Sequence, residues 1–362
     1  MSRPVRAVLI LAAIVLLPET SSARQTAEEL RARGLDFGFN LDHAEAVATF
    51  KQSIAADPGN LAGYRFLTGV LWSSALFAQG AITSDDFTGQ GSPFRARRAG
   101  IELQQAAHDL LQRAEAASAA IKRDGSPASV AAMYEVGAAY RLLSTLRGTI
   151  DGSQWSSFSA ARRAYQDHRR VLKFDSRRTD AGLTIGLVNF WVAAQPRLSR
   201  FVARVAGLDG DSTNGVRLVE QAAATETLAR ASAMFALIVI YQSQDRNEDA
   251  LRIIAELQHR YPRNRLLWLE AANTQLRAGR AADARASIEH GLSMFDTDAR
   301  PKAYGELARW RYYYGLALAR LNQNDAAIQQ FRAALEGDSL EWARERTRLE
   351  LNKLTSLRRA VK

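Results

Sequence analysis

Cysteine is absent from the 362 residues of this chain, so the fold has no disulfide bond, no thiolate metal site and no cysteine nucleophile. Proline is scarce, at 8 residues, which suits a helical protein because proline breaks the interior of a helix. Beyond the N-terminal segment, no run of apolar residues reaches the roughly 18 that a membrane-spanning helix needs. The remaining composition, 47% hydrophobic and 24% charged, excludes a disordered or collagen-like chain.

The first residues have the pattern of a secretory signal peptide. Arg3 and Arg6 precede an apolar stretch over 7–17, and small residues follow up to Ala23. Because this stretch would reach only about 16 Å as a helix, it is too short to span a membrane. We therefore expect residues 1–23 to be cleaved off and the protein to be periplasmic or extracellular. A retained membrane anchor is the alternative.

A pattern of small and bulky residues recurs along the chain with a period near 34 residues. It is clearest over 231–264, returns over 265–298 and 308–341, and is present at the N-terminus over 27–60. Each of these segments has two apolar stripes with helical spacing, separated by a short polar link. The sequence therefore predicts tandem pairs of helices.

The residue types at fixed positions of this pattern suit the close packing of two helices. Gly34, Gly315 and Ala46 would let helix axes approach to the short end of the usual range of about 8–10 Å. Phe50 and Phe331 would fill the space beside each crossing. The pattern resembles the tetratricopeptide repeat (TPR), which implies an all-α, right-handed superhelical solenoid. In such a fold, each pair buries its apolar face against its neighbours.

The middle of the chain, 61–230, departs from the regular period but still predicts helix pairs. The first expected pair is stretched, with helices at 61–79 and 94–123 around a loop at 80–93. The second covers 129–176 and has a long link at 148–159. The third covers 178–226. With a cap helix at 340–358, the expected fold has about seven antiparallel pairs in a single domain over 24–362.

A second resemblance covers 181–270, which is similar to the central part of the eukaryotic tetratricopeptide-repeat-39 and inclusion-body-clearance proteins. The likeness is carried by Gly182-Leu183, Phe190-Trp191, Pro196, Gly207-Leu208-Asp209-Gly210 and Tyr261-Pro262. It implies a non-catalytic repeat protein. The cytosolic role of those proteins does not transfer to an exported chain.

Motifs that would mark an enzyme are missing from the sequence. No histidine pair has a metal-binding spacing, and there is neither a Gly-x-Ser-x-Gly elbow nor a phosphate-binding loop. His168 takes a position that phenylalanine holds in other repeats, which predicts a packed core histidine. Asp85 and Asp86 lack the alternating spacing of a calcium loop, so we interpret Ser84 or Asp85 as the cap of a turn. We predict no metal, no cofactor and no enzyme; a helical enzyme with a site in the 80–93 loop is a less favoured alternative.

In the family resembled, the first helix of each repeat lines the inner surface. Carrying its positions onto this chain gives a concave face with arginines and aromatic rings. The residues are Arg31, Phe39, Arg65, Trp72, Tyr134, Arg141, Asn273, Arg277, Arg309, Tyr312 and Arg320. Arginine forks would bind carboxylates in bidentate fashion, and Asn273 would hold peptide amides. The resemblance thus implies a scaffold for a protein or peptide of acidic character, in an oligomeric state that the sequence leaves open.

A basic amphipathic segment over 196–208 supports a different interpretation. Its apolar residues share one helical face, and Arg197, Arg200, Phe201 and Arg204 would contact a membrane surface that contains anionic lipid. A helix packed on the array explains the same pattern equally well. Nucleic acid is disfavoured as a partner because an exported protein rarely meets it.

Overall fold

The computed structural model describes residues 19–88 and 99–360, with side chains described over 26–87 and 99–356. The apolar core of the predicted signal peptide, and the later part of the 80–93 loop, lie outside the described residues. Over the described ranges the chain forms helices and no β-strand. No helix in these ranges is both long enough and apolar enough to cross a membrane.

The helices of the first half are α1 (Glu19–Phe39), α2 (His43–Ala56), α3 (Leu61–Ala78), α4 (Asp85–Thr88), α5 (Ile101–Ala120), α6 (Pro127–Leu146), α7 (Gln154–Phe174) and α8 (Ala181–Ala193). Those of the second half are α9 (Arg197–Val205), α10 (Ser212–Ala224), α11 (Arg230–Ser243), α12 (Asn247–Arg260), α13 (Leu266–Arg277), α14 (Ala281–Thr297), α15 (Glu306–Arg320), α16 (Asn324–Glu336) and α17 (Glu341–Ala360).

Consecutive helices pair and stack in chain order. The seven pairs are α1 with α2, α3 with α5, α6 with α7, α8 with α10, α11 with α12, α13 with α14, and α15 with α16. Helices α4 and α9 are short additions within two of the pairs, and α17 packs on the last pair as a cap. The predicted all-α repeat solenoid is therefore confirmed, with each pair stabilised by its neighbours.

Glycines at the helix crossings explain how the pairs pack so closely. A Cβ atom placed on Gly315 would lie 2.5 Å from the ring of Phe331, so only glycine fits there without a shift. In the third pair, a Cβ on Gly137 would lie 2.7 Å from the ring of His168. His168 is 1% exposed, and burial lowers its pKa to about 3. The prediction of a packed core histidine is confirmed.

The long link expected at 148–159 is mostly helical instead. Helix α6 runs on into a π-helical turn, Arg147–Asp151, and α7 begins at Gln154. A residue of another helix pair contacts this turn: the indole of Trp72, on α3, donates a hydrogen bond to Thr149 at 3.0 Å. The sequence carried no sign of this contact, which joins residues 77 positions apart.

The second helix of the stretched pair is shorter than the predicted 94–123. Residues 94–98 of that range lie outside the described residues, and the backbone at 99 and 100 is not helical. Helix α5 begins at Ile101 after Gly100 and ends at Ala120. Glycine, with its low helix propensity, is a natural boundary at this point.

The solenoid curves until its first pair contacts the fifth and sixth pairs. The ring of Phe39 stacks on Phe235 at 5.4 Å between centroids, and Asn264 donates to the carbonyl of Phe39 at 2.7 Å. Farther along, Arg300 forms an ion pair with Asp42 at 2.7 Å. These contacts enclose much of the concave face inside the array.

Candidate functional site on the concave face

The concave face is built from the first helices of successive pairs. Residues from α1, α3, α6, α8, α11 and α13 line a partly open space of about 530 Å³, which we call the cavity. Four of the predicted groove residues line it, namely Phe39, Arg65, Trp72 and Arg141. Three others, Asn273, Arg277 and Arg309, lie towards the C-terminal end of the face, on α13 and α15. The face thus has two parts with different chemistry.

The C-terminal part is occupied by the chain itself. Residues 81–88, which we call the insert, follow α3 and place their acidic side chains against α13 and α15. Asp85 accepts a hydrogen bond from Arg277 at 2.5 Å and another from the hydroxyl of Tyr313 at 2.9 Å. Burial opposes the ionisation of Asp85, but the charge and hydrogen bond of Arg277 outweigh it, so its pKa lies below the ordinary value. Asp85 is therefore a carboxylate in an ion pair.

Asp86 forms the more deeply buried pair of the insert. Its carboxylate binds Arg309 at 3.1 Å, and both side chains are almost fully buried. The same carboxylate accepts hydrogen bonds from the backbone amides of Ile82 and Thr83, each at 2.9 Å, and one from the indole of Trp342 at 3.2 Å. Asp86 thus caps the turn, a different residue from the Ser84 or Asp85 that we expected, and its ion pair adds a long-range contact that the turn interpretation did not include.

A buried glutamate holds the beginning of the insert. Glu270 accepts hydrogen bonds from the amide and the hydroxyl of Ser84, at 2.8 and 2.6 Å, and from Gln242 at 2.6 Å. Burial raises the pKa of Glu270, although these hydrogen bonds oppose the effect. Asn273 also donates to the Ser84 hydroxyl at 3.4 Å. Asn273, the predicted holder of peptide amides, thus contacts a side chain of the insert.

Three other predicted arginines are engaged within the solenoid. Arg65 binds Glu135 through two hydrogen bonds, at 2.9 and 3.2 Å. Arg31 lies 3.9 Å from Asp57. Arg320 donates to a backbone carbonyl of α13. These side chains therefore join neighbouring helices.

The predicted aromatic residues also lie in intramolecular contacts. Trp72 is bonded to Thr149, as described above, and Tyr134 is buried with the guanidinium of Arg178 over its ring at 4.2 Å. Tyr312 is buried beside the neighbouring ring of α15, 5.2 Å away. Trp72 and Phe39 reach the cavity as well, whereas Tyr134 and Tyr312 do not line it.

Arg141 differs from the other predicted arginines. It lies on α6 and lines the cavity, and within the described part of the chain its side chain has no hydrogen-bond or ion-pair partner. Burial, followed by the positive charge of Arg65, lowers its pKa. The cavity therefore contains one cation that forms no ion pair with the described residues; the nearby carboxylate of Glu135 is paired with Arg65 instead.

The predicted membrane-contact segment forms α9, and its apolar side chains face outward. Leu198 is 76% exposed, Phe201 63% and Val205 73%, whereas Ala203 packs inward. The three predicted arginines of the segment are exposed as well.

Among the described residues, no group of three or more acidic or histidine side chains is placed to hold a metal ion.

The fold and the concave face define the class of the protein, an all-α solenoid of stacked helix pairs. No protein-family model matches the chain, and no curated protein is similar to it. Solved TPR structures match the chain over most of its length, but only loosely. A TPR protein from Parabacteroides merdae is 16% identical with a TM-score of 0.36, and the match covers 92% of this chain and 99% of that one.

Two further structures are similar at the same loose level. The TPR domain of P58(IPK) is 15% identical with a TM-score of 0.31, covering 95% of this chain and 99% of that one. Yeast Tom70 is 8% identical with a TM-score of 0.39, covering 93% and 82%. The repeat type itself rests on the helix pairs and their glycine crossings.

Proposed function

We propose that this chain is an exported, non-catalytic scaffold of the bacterial cell envelope that binds an acidic segment of a partner protein on its concave face. The observation that carries the proposal is that the insert is bound to the concave face through its acidic side chains. Two consecutive residues of the insert form ion pairs with this face: Asp85 with Arg277, and Asp86 with Arg309. Side chains that hold an acidic turn of their own chain have the donors to hold one from a partner.

A partner would displace the insert from its more accessible edge. The side chain of Arg277 is 35% exposed, whereas Arg309 is buried. Partly exposed ion pairs contribute little stability, so the contact between Arg277 and Asp85 would open before the contact with Asp86. A partner carboxylate would reach Arg277 first.

Export and the lack of catalysis are supported by separate observations. Residues 1–23 have the signal-peptide pattern, and the absence of cysteine suits a chain that folds outside the cytoplasm without disulfides. The carboxylates of the insert are fixed by arginines, and a lowered pKa makes Asp85 a poor proton donor near neutral pH.

A peptide with the sequence of residues 81–88 tests the proposal in trans. We would label it, titrate it with chain 24–362 carrying Asp85→Asn, which loosens the resident insert, and measure fluorescence anisotropy. We expect tighter binding to this variant than to the wild-type chain, and loss of binding when Arg277→Glu is added. A control peptide with both aspartates replaced by asparagine should bind about tenfold more weakly or worse, because charge-assisted hydrogen bonds are lost. Equal binding of the two peptides, or none, would contradict the proposal.

A second candidate function, contact with anionic lipid, is favoured by the exposure of α9. Large apolar side chains that face solvent beside arginines are typical of a helix at a membrane surface. Chain 24–362 should sediment with vesicles that contain phosphatidylglycerol, more weakly with phosphatidylcholine alone, and more weakly at high salt. Phe201→Asp should abolish the effect. Ile101→Asp, at a residue of α5 that is 75% exposed, is the matched control and should not; equal loss in both variants would count against α9.

A further inference from the structure

The walls of the cavity are mainly apolar. Its volume of about 530 Å³ falls within the range of about 300–1,000 Å³ typical of small-molecule sites. Hydrocarbon side chains line it from several helices, including Phe66, Val70, Leu142, Leu187 and Phe235. An elongated apolar group would bury most of its surface here.

All but one of the titratable side chains that line the cavity are either ion-paired or hydrogen-bonded to other side chains, or uncharged at neutral pH. Arg65 is paired with Glu135, and Glu270 is bonded to Ser84 and Gln242. Burial lowers the pKa of His43 to about 4, so that this ring is neutral at neutral pH. Arg141 remains as a cation without a partner in the described part of the chain.

The rest of the sequence offers little to neutralise Arg141. Residues 89–98 and 357–362 contain no aspartate or glutamate, and 1–25 contain only Glu19. Arg141 is half-buried; its guanidinium stays protonated, and a charge that is partly removed from water without an ion-pair partner is unfavourable. The apolar walls and the unpaired guanidinium together fit a ligand with a negative head and a hydrocarbon tail.

We infer that the cavity binds a single-chain anionic amphiphile, of the type of a fatty-acid carboxylate. The carboxylate binds the guanidinium of Arg141, and the chain lies against the apolar wall formed by α3, α6 and α11. Residues 81–84 and Phe87 of the insert also line the cavity, whereas Asp85 and Asp86 do not. The inferred ligand contacts Arg141 rather than the arginines of the proposed peptide site.

Isothermal titration calorimetry with dodecanoate and dodecanol tests the two parts of the inference on chain 24–362. We expect dodecanoate to bind with one site per chain and dodecanol to bind more weakly. Arg141→Gln should weaken dodecanoate about tenfold or more, as expected for the loss of a charge-assisted hydrogen bond, and should change dodecanol by less than about twofold. Arg332→Gln, at an exposed arginine of α16, is the matched control and should change neither.

A second variant tests the location of the tail. A Cβ on Gly69 would lie 3.8 Å from Leu142 at the cavity wall, so Gly69→Leu fits the helix but projects into the cavity. It should weaken both ligands, with circular dichroism confirming that the variant folds. The inference is overturned if the wild-type chain binds no dodecanoate, if dodecanol binds as tightly, or if folded Arg141→Gln and Gly69→Leu both keep wild-type affinity.

Discussion

The two parts of the concave face use the same kind of side chain in opposite ways. In the C-terminal part, Arg277 and Arg309 are bound to the carboxylates of the insert. In the cavity, Arg141 projects among apolar groups and has no such partner in the described residues. All three lie on first helices of their pairs. A position in the repeat thus determines that a side chain faces inward, whereas the chain folded against that position determines what it binds.

The largest effect should come from breaking the buried pair of the insert. Arg309→Met leaves the carboxylate of Asp86 buried without its cation, which typically costs about 3–5 kcal/mol. We expect the free energy of unfolding, measured in urea, to fall by that amount. A loss below about 1 kcal/mol would mean that the insert is not held as the structure shows.

The closure of the solenoid should contribute less. Arg300→Ala removes the ion pairs with Asp42 and Asp298, and with them one of the contacts between the first and later pairs. Buried acceptors left unsatisfied cost about 1–3 kcal/mol, and we expect a loss in that range. Hydrogen exchange should increase in α1 while α16 keeps its protection; uniform exchange along the chain would argue against a local closure contact.

The pH dependence of stability should distinguish the outer ion pair of the insert. Because the folded pKa of Asp85 is below its ordinary value, its contribution is complete above the unfolded pKa of about 3.9 and is lost as the pH falls through the folded pKa. The pKa of Glu270 is raised in the folded chain, so its contribution to the free energy of unfolding decreases as the pH rises. Urea unfolding of wild type and Asp85→Asn should therefore differ most near pH 7 and converge towards pH 3. A difference that is constant with pH would contradict the assignment.

The smallest effect is expected at Arg141. Because no described side chain depends on this guanidinium, Arg141→Met should change the free energy of unfolding by less than about 1 kcal/mol, in either direction, in the absence of ligand. The comparison with Arg309→Met uses the same substitution at one buried and one half-buried arginine of the concave face. A loss as large as that of Arg309→Met would show that Arg141 is structurally paired and would remove the contrast between the two parts.

The helix pairs and their order could be predicted from the sequence because the contacts that define them are local. Gly315 and Phe331, like Gly137 and His168, lie on paired helices within one repeat, and their spacing is visible in the pattern of residue types. The inward direction of Arg141 was implied by the resemblance to the TPR, whose first helices line the inner surface. Boundaries were less certain where a distant contact intervened, as at the π-helical turn fastened by Trp72.

Only the tertiary structure determines which carboxylates the arginines pair with. Asp86 and Arg309 are 223 residues apart, and Arg300 and Asp42 are 258 apart. Nothing in a local pattern specifies such a pairing, although two adjacent aspartates in a chain with an arginine-rich inner face were compatible with it. The sequence by itself determined an array of helix pairs, because helix packing is set by residues close in the chain. The curvature, the seat of the insert and the cavity depend on the sum of many small rotations between pairs, and only the folded chain sets that sum.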